Sequence, residues 1–477
     1  MTSPINLLSA VVLTAEIRKK NISAREALEA HFEQIDAVNP AINAVVTQDR
    51  VAAAAAAAAA DNLTASGVEL PPLHGVPMTH KDTHNTKGMR TTQGSPIFAD
   101  YIPSIDDVII QRLKRAGVVS TGKSNVPEFA AGAHTFNDVF GTTTNPFSTG
   151  LSAGGSSGGV AAALASRIQS IGDGSDMGGS LRIPASFCNV VGFRPSLGLI
   201  PLAPTRNAWA WLGRAGIMAR EVGDVALAMS AVSGRDARTP FDSPVQRRRF
   251  AEPLETDLSG LRIGWSPDFG VGVPVQREVL SVLEAQLNVF RDLGAHVEEA
   301  APDLRDADLV FANTRAFDFL LGLGDVVDKH GDQVKAEVLW NIERGRGLTS
   351  RDLVETALAR TRLHDCVQEY FGRYDAFISP CSQVLPFEAA ARYPTEIEGV
   401  PLDTYLDWMR SVSLVSAAGI PAISVPAGFS DDGLPVGIQI AMNHGKDFEL
   451  LQLGHGFEQA TGFAQKLPQL LDAPNSH

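Results

Sequence analysis

The chain has 477 residues, 44% of them hydrophobic and 20% charged, and a formal net charge of −14. Its length allows up to about three units of ~150 residues, and its negative charge disfavours phosphate backbones and anionic lipid, so neither nucleic acid nor a membrane surface is an expected partner. Three widely spaced cysteines, Cys188, Cys366 and Cys381, argue against a disulfide framework or a zinc knuckle and fit a reducing cytoplasm.

Ser3-Pro4 reads as an N-cap and first helical position, followed by apolar residues at near-helical spacing from Leu7 to Ile17. The stretch Ile5 to Ala15 lacks a basic region before it and carries Lys19 and Lys20 after it, the wrong polarity for a signal peptide. No apolar run approaches the ~20 residues that cross a bilayer. A second helix is expected from Ser23 and is expected to stop before Pro40, and the alanine run Ala52 to Ala60 reads as helix.

From Pro71 onward short apolar segments alternate with helical ones. Leu73 to Thr79, Val118 to Thr121 and Ile168 to Ile171 read as strands, with helices over Asp106 to Ala116 and Val160 to Ser166. Later, Leu261 to Trp265, Ala295 to Glu299 and Ala376 to Ser379 read as strands and Glu278 to Leu293 as an amphipathic helix. The pattern predicts an α/β fold, a large mixed twisted sheet with helices on both faces. No Gly/Ser or Pro-rich linker divides residues 1–477, so a single domain is expected, with a more helical, substrate-shaping region at about 300–410. Arg247-Arg248-Arg249 lies among Pro240, Pro244 and Pro253 and reads as a solvated loop.

Several motifs suggest chemistry. Gly117-Val-Val-Ser-Thr-Gly122-Lys123-Ser124 satisfies the phosphate-loop pattern, but its first glycine ends a helix where a strand is required. His80 and His84 have metal-ligand spacing but sit in a loop-like context, and no metal or cofactor is expected. Gly154-Gly155-Ser156-Ser157-Gly158 matches a nucleophile elbow, for which His330, His364, His444 or His455 would have to supply the base. A second glycine-rich cluster runs from Gly172 through Ser175, Asp176, Met177, Gly178, Gly179 and Ser180 to Arg182 and Pro184. Glycine lets backbone N–H groups approach a ligand closely, and successive N–H donors can stabilise a tetrahedral oxyanion.

These clusters, with Lys81 in Gly75-Val-Pro-Met-Thr-His-Lys81-Asp82, resemble the amidase signature family. The first matches its G-G-S-S-G-G core and the second its G-T-D-x-G-G-S-[IL]-R-x-P segment. Leu73-His-Gly-Val-Pro77, Lys87-Gly-Met-Arg-Thr-Thr92, Gly122-Lys-Ser-Asn125 with Glu128-Phe-Ala130, Gly419 to Pro426 and Gly433 to Gly437 follow in family order. The resemblance implies the amidase signature fold, a Ser-Ser-Lys triad with Ser180 as nucleophile, Ser156 as relay and Lys81 as base, and a cis peptide at Gly155-Ser156. Met177, Gly178 and Gly179 become the oxyanion donors, Ser157 a group that orients Ser156, and Asp176 and Arg182 braces of the loop. A lysine serves as base only if desolvation lowers its pKa from about 10.4.

Members that amidate charged tRNA usually carry Ser-Leu-Asp-Gln after the nucleophile region, whereas this chain has Arg206-Asn-Ala-Trp-Ala-Trp-Leu-Gly-Arg214. The expected activity is hydrolysis of small apolar or aryl amides, extending to esters or carbamates. The alternatives are a glutaminase component of a tRNA-dependent amidotransferase, an esterase using Ser156 or Ser157, and a silent binding protein. Trp209 and Trp211, then Phe136, Phe317, Phe319, Tyr405 and Trp408, are candidates for the pocket wall. The expected partner is a small amide substrate, with a homodimer as the expected assembly.

Overall fold

The computed structural model describes residues 4–471. The expected cap at Ser3 lies outside that range. Pro4 leads into a short turn, and the first helix, α1 (Ala10–Arg18), is capped instead by Ser9, whose hydroxyl accepts the Val12 N–H. Helix α2 (Ala24–Ile42) starts in a capping box of Ser23 and Glu26 and runs through Pro40 rather than stopping before it. The ring costs one ladder bond in the final turn, but Val38 and Ile42 are buried there and Asn43, at φ 48°, returns its N–H to Asn39. Tertiary packing of that turn outweighs the lost bond. The alanine run lies in α3 (Arg50–Ser66), which buries Ala53, Ala57 and Ala60 along one stripe.

Strands β1 (Val45–Gln48), β2 (Pro77–Lys81) and β3 (Val119–Ser124) form a three-stranded sheet in the order β1-β3-β2. Eight further strands follow: β4 (Ile171–Asp176), β5 (Val191–Arg194), β6 (Arg214–Ala219), β7 (Arg262–Trp265), β8 (His296–Glu299), β9 (Ala376–Pro380), β10 (Ala422–Phe429) and β11 (Pro435–Met442). They form one mixed sheet in the order β8-β7-β9-β11-β10-β5-β6-β4. Only β7 pairs in parallel, with β8 and β9, and the other pairings are antiparallel.

Helices cover both faces. After α4 (Val108–Arg115), α5 (Gly158–Ala165) is buried on every side and packs between β2 and β4, and α6 (Arg182–Phe187) lies on β5, β10 and β11. Helices α7 (Val222–Val232), α8 (Arg277–Asp292) and, last in the chain, α13 (Asp447–Thr461) pack on the opposite face. The region 300–410 supplies α9 (Ala307–His330), α10 (Ala336–Arg346) and α11 (Ser350–Phe371), and α12 (Arg410–Ala417) packs against α9.

The site is positioned by two sheet edges. β2 ends the small sheet and β4 ends the large one, and the two pack side by side with no ladder between them. Both differ from expectation. β2 begins at Pro77, the preceding Leu73-His-Gly being a turn. β4 begins where the apolar segment Ile168 to Ile171 ends, and its sequence Ile-Gly-Asp-Gly-Ser-Asp carries no apolar periodicity because neighbouring polar side chains satisfy it.

The phosphate-loop pattern dissolves into β3. Gly122 lies within the strand, and a Cβ there would stand 2.0 Å from the Thr47 carbonyl oxygen of β1. Lys123 is buried, donating to the His84 carbonyl and the Thr86 hydroxyl. Gly122→Ala is expected to destabilise the protein by about 1–3 kcal/mol through overpacking, read as a lower denaturant midpoint at unchanged m-value.

Candidate active site

Lys81 is the last residue of β2 and has no solvent exposure. Its Nζ donates to Ser156 Oγ at 2.8 Å, Ser157 Oγ at 2.9 Å and Ser175 Oγ at 3.0 Å. Burial pushes its pKa down, partly opposed by Asp176 and then Asp173, to about 7. Three hydroxyls replace water around a nitrogen that has no carboxylate in direct contact, and this is the setting in which a lysine loses its proton near neutral pH.

Ser156 and Ser157 lie in the turn before α5 and are buried. The Gly155–Ser156 peptide is cis. Ser157 N–H donates to the Ser180 carbonyl at 3.1 Å, tying the two serine clusters together. Ser180 follows β4 and is partly exposed. Its hydroxyl has no hydrogen-bond partner among the described residues, so the bonded chain runs from Lys81 to Ser156 and leaves Ser180 free. No histidine donates to or accepts from Ser156 or Ser157 among the described residues, so the nucleophile-elbow reading lacks the histidine it requires.

The loop after β4 is fixed by Asp176. Its carboxylate accepts Gly179 N–H at 2.8 Å and Leu181 N–H at 3.2 Å, and receives Arg182 Nε at 2.9 Å and Nη2 at 2.8 Å. Arg182 spends its remaining donors on the Val412 carbonyl, Gln439 Oε1 and Ser416 Oγ. Burial would raise the Asp176 carboxyl, but Arg182 and then Arg194 outweigh it and hold it well below the usual carboxylate range. These bonds tie the Asp176 carboxylate and the Arg182 guanidinium to the loop backbone and to α12 and β11.

Gly179 departs from its expected role. Its N–H is spent on Asp176, so it is not a free donor. Its φ of 100° and a Cβ position 2.3 Å from Val412 make it a turn residue that only glycine fits. Met177 and Gly178 keep unclaimed N–H groups among the described residues. So does Ser180, whose N–H the sequence did not single out.

The aromatic candidates scatter. Trp209 is 70% exposed and meets Phe241 edge-on, and Phe317 is also exposed. Trp211 lies under the Arg360 guanidinium, 3.7 Å from ring centroid to Cζ. Trp408 is core, packed on Phe187 and Phe387, and Phe136 lies beneath Lys335 and Arg392. Tyr405 and Phe319 are nearer the loop, since Arg315 binds the Tyr405 hydroxyl, covers the Phe319 ring and contacts Met177 Sδ at 3.3 Å. Met177 packs against a separate apolar cluster that includes Phe129, Phe319, Val338 and Ile342. Phe311 of α9 lies over Gly178, where a Cβ would stand 2.6 Å from its ring.

Sequence reasoning missed Ser175 and Asp173. Their two-residue spacing on β4 puts both side chains on the side facing β2, a signal that a strand assignment over 171–176 would have exposed. His80 and His84, expected in a loop-like context, are both buried against Asp173, and His80 lies within β2. No group of three His, Cys, Asp or Glu side chains suited to a metal ion occurs among the described residues. No helix there is long and apolar enough to cross a membrane.

The Amidase family profile matches residues 26–451, and the chain belongs to that family, the amidase signature enzymes. An acylamidase of Rhodococcus erythropolis is 36% identical, covering 97% of this chain and 98% of its own length. A component of the glutamyl-tRNA(Gln) amidotransferase of Thermosynechococcus vestitus is 32% identical over 96% of this chain and 99% of its own. Among solved structures, a bacterial aryl acylamidase of the amidase signature family superposes with a TM-score of 0.91 at 28% identity, covering 100% of both chains.

Removing one partner of the Asp176–Arg182 pair leaves a buried charge uncompensated. Arg182→Met is expected to cost about 3–5 kcal/mol in denaturant unfolding at pH 7. Because the native Asp176 carboxyl is held low, the stability the pair contributes is full above the unfolded pKa of about 3.9 and is lost as pH falls through the lower native value. The difference between wild type and variant should therefore shrink below about pH 4.

Proposed function

We propose that the chain is a serine amidohydrolase that cleaves the carbon–nitrogen bond of small apolar or aryl amides through an acyl-enzyme on Ser180. The observation that carries the reading is the buried Lys81 Nζ, held by three hydroxyls with its pKa lowered to about 7. In this reading neutral Lys81 draws a proton through Ser156 from the Ser180 hydroxyl as Ser180 attacks the amide carbonyl. The oxyanion that forms is stabilised by the N–H groups of Met177, Gly178 and Ser180. The proton held at Lys81 returns through Ser156 to the leaving amine, and water releases the acid by the same relay. Esters and carbamates pass through the same tetrahedral chemistry and are included in the proposal.

The apolar side of the substrate is supported by the cluster around Met177 and by Phe311 over Gly178. The acylamidase and aryl acylamidase relatives point the same way. A panel of aryl amides, aliphatic amides, carbamates and glutamine tests it: the purified chain alone should turn over aryl amides, and glutamine-only activity would assign it to the amidotransferase side of the family.

Ser180→Ala is expected to abolish both turnover and fluorophosphonate labelling, and Lys81→Ala to reduce both severely. Undiminished labelling of the Ser180 variant would reject it as nucleophile. Because Lys81 must be neutral to accept a proton, kcat/KM should rise with pH through about 7, where its pKa lies, and level off above it.

A further inference from the structure

The proton relay from Ser180 to Lys81 uses neither Asp173 nor the two histidines bound to it. Asp173, on β4, is fully buried. One carboxylate oxygen lies 2.6 Å from His80 Nδ1. The other lies 2.6 Å from His84 Nδ1 and accepts the Lys81 backbone N–H at 3.2 Å. His80 Nε2 in turn meets the Ser120 hydroxyl of β3 at 2.7 Å. Both histidines thus present Nδ1–H to an ionised carboxylate. Burial favours neutral His80, and although burial also opposes ionisation of Asp173, the two rings outweigh it and hold that carboxyl well below its usual range.

The placement matters because β2 and β4 are edges of different sheets with no ladder between them. Asp173 supplies what a ladder would, binding β2 at His80, at the Lys81 backbone and at His84 in the following turn. Ser175, two residues further along the same face of β4, binds Lys81 Nζ. One strand therefore holds both ends of the lysine.

We propose that Asp173 is a positioning residue for Lys81, which fixes the end of β2 against β4 and whose buried negative charge biases the lysine toward its ammonium form. The inference rests on Lys81 as the base. The charge acts through low-dielectric protein, where an opposite charge raises a lysine pKa. Other groups face this cluster and set the background. They are Lys123 of β3, Asp82 after β2, Asp107 and Lys114 at α4, and Asp176 with Arg182 and Arg194 behind the loop.

The test is the pH dependence of kcat/KM for an aryl amide in Asp173→Asn, with circular dichroism to establish the fold. Without the carboxylate the lysine gives up its proton more readily, so the acid limb should move about one unit to lower pH. His80→Gln keeps the carboxylate and a neutral donor, and its limb should stay at the wild-type position. If Asp173→Asn does not fold, Asp173→Leu combined with His80→Leu and His84→Leu removes the charge together with both imidazoles that face it, and it should show the same downward shift. A limb that stays in place with activity lowered equally at every pH, or a limb that moves upward, would overturn the proposal in favour of a purely structural Asp173. Failure of Lys81 as base is read separately, from a wild-type profile with no limb near 7 and from full activity of Lys81→Ala.

Discussion

A lysine side chain without solvent is unfavourable as an ammonium and weakly held as an amine, and the architecture around Lys81 resolves that conflict. Three hydroxyls take the place of water at Nζ, and two carboxylates act from further away. Direct contact with a carboxylate would have fixed the proton on nitrogen. Hydroxyls alone in a dry site would have left the amine a weaker base. The balance depends on β2 and β4 lying side by side, so the meeting of two sheet edges is a condition for the proposed chemistry as well as a feature of the fold.

In the proposed mechanism the loop after β4 solves a different problem. Its N–H groups would have to point at a transient charge, and a flexible loop would lose that aim. Asp176 occupies the Gly179 and Leu181 N–H groups and locks Arg182, whose other donors reach α12 and the central strand β11. The donors left over at Met177, Gly178 and Ser180 are held by this brace rather than by hydrogen bonds of their own. Such preorganisation is what makes an oxyanion site effective in a low-dielectric pocket. Met177 also touches the apolar cluster under α9 and α10, so the loop links the reacting centre to the surface that would choose the substrate.

Elements with strong local signals were legible in the sequence. The helix α8 and the strands β7, β8 and β9 stand where the apolar pattern places them, and the alanine run falls inside α3, which continues to Ser66. The errors have one cause. Pro40 inside α2, the turn before β2 and the polar strand β4 were decided by what packs against them, and local pattern does not carry that information. Gly122 and Lys123 show the same point, since a string that spells a phosphate loop becomes a strand whose glycine admits the backbone of β1.

The candidate reactive groups came from the family resemblance that the ordered motifs carry. Lys81, Ser156 and Ser180, with Asp176 and Arg182 as expected braces, were singled out that way, because motif order is a covalent fact of the chain. What surrounds them was settled by the assembled fold. The partnership of Asp173 with His80 and His84, the place of Ser175 at Lys81 Nζ and the position of Phe311 over Gly178 all join residues far apart in the chain. Even the commitment of the Gly179 N–H to Asp176, a local contact, depends on the distant groups that hold Arg182 in place. Burial and hydrogen-bond satisfaction are properties of the assembled surroundings, and those surroundings form when β2 and β4 come together.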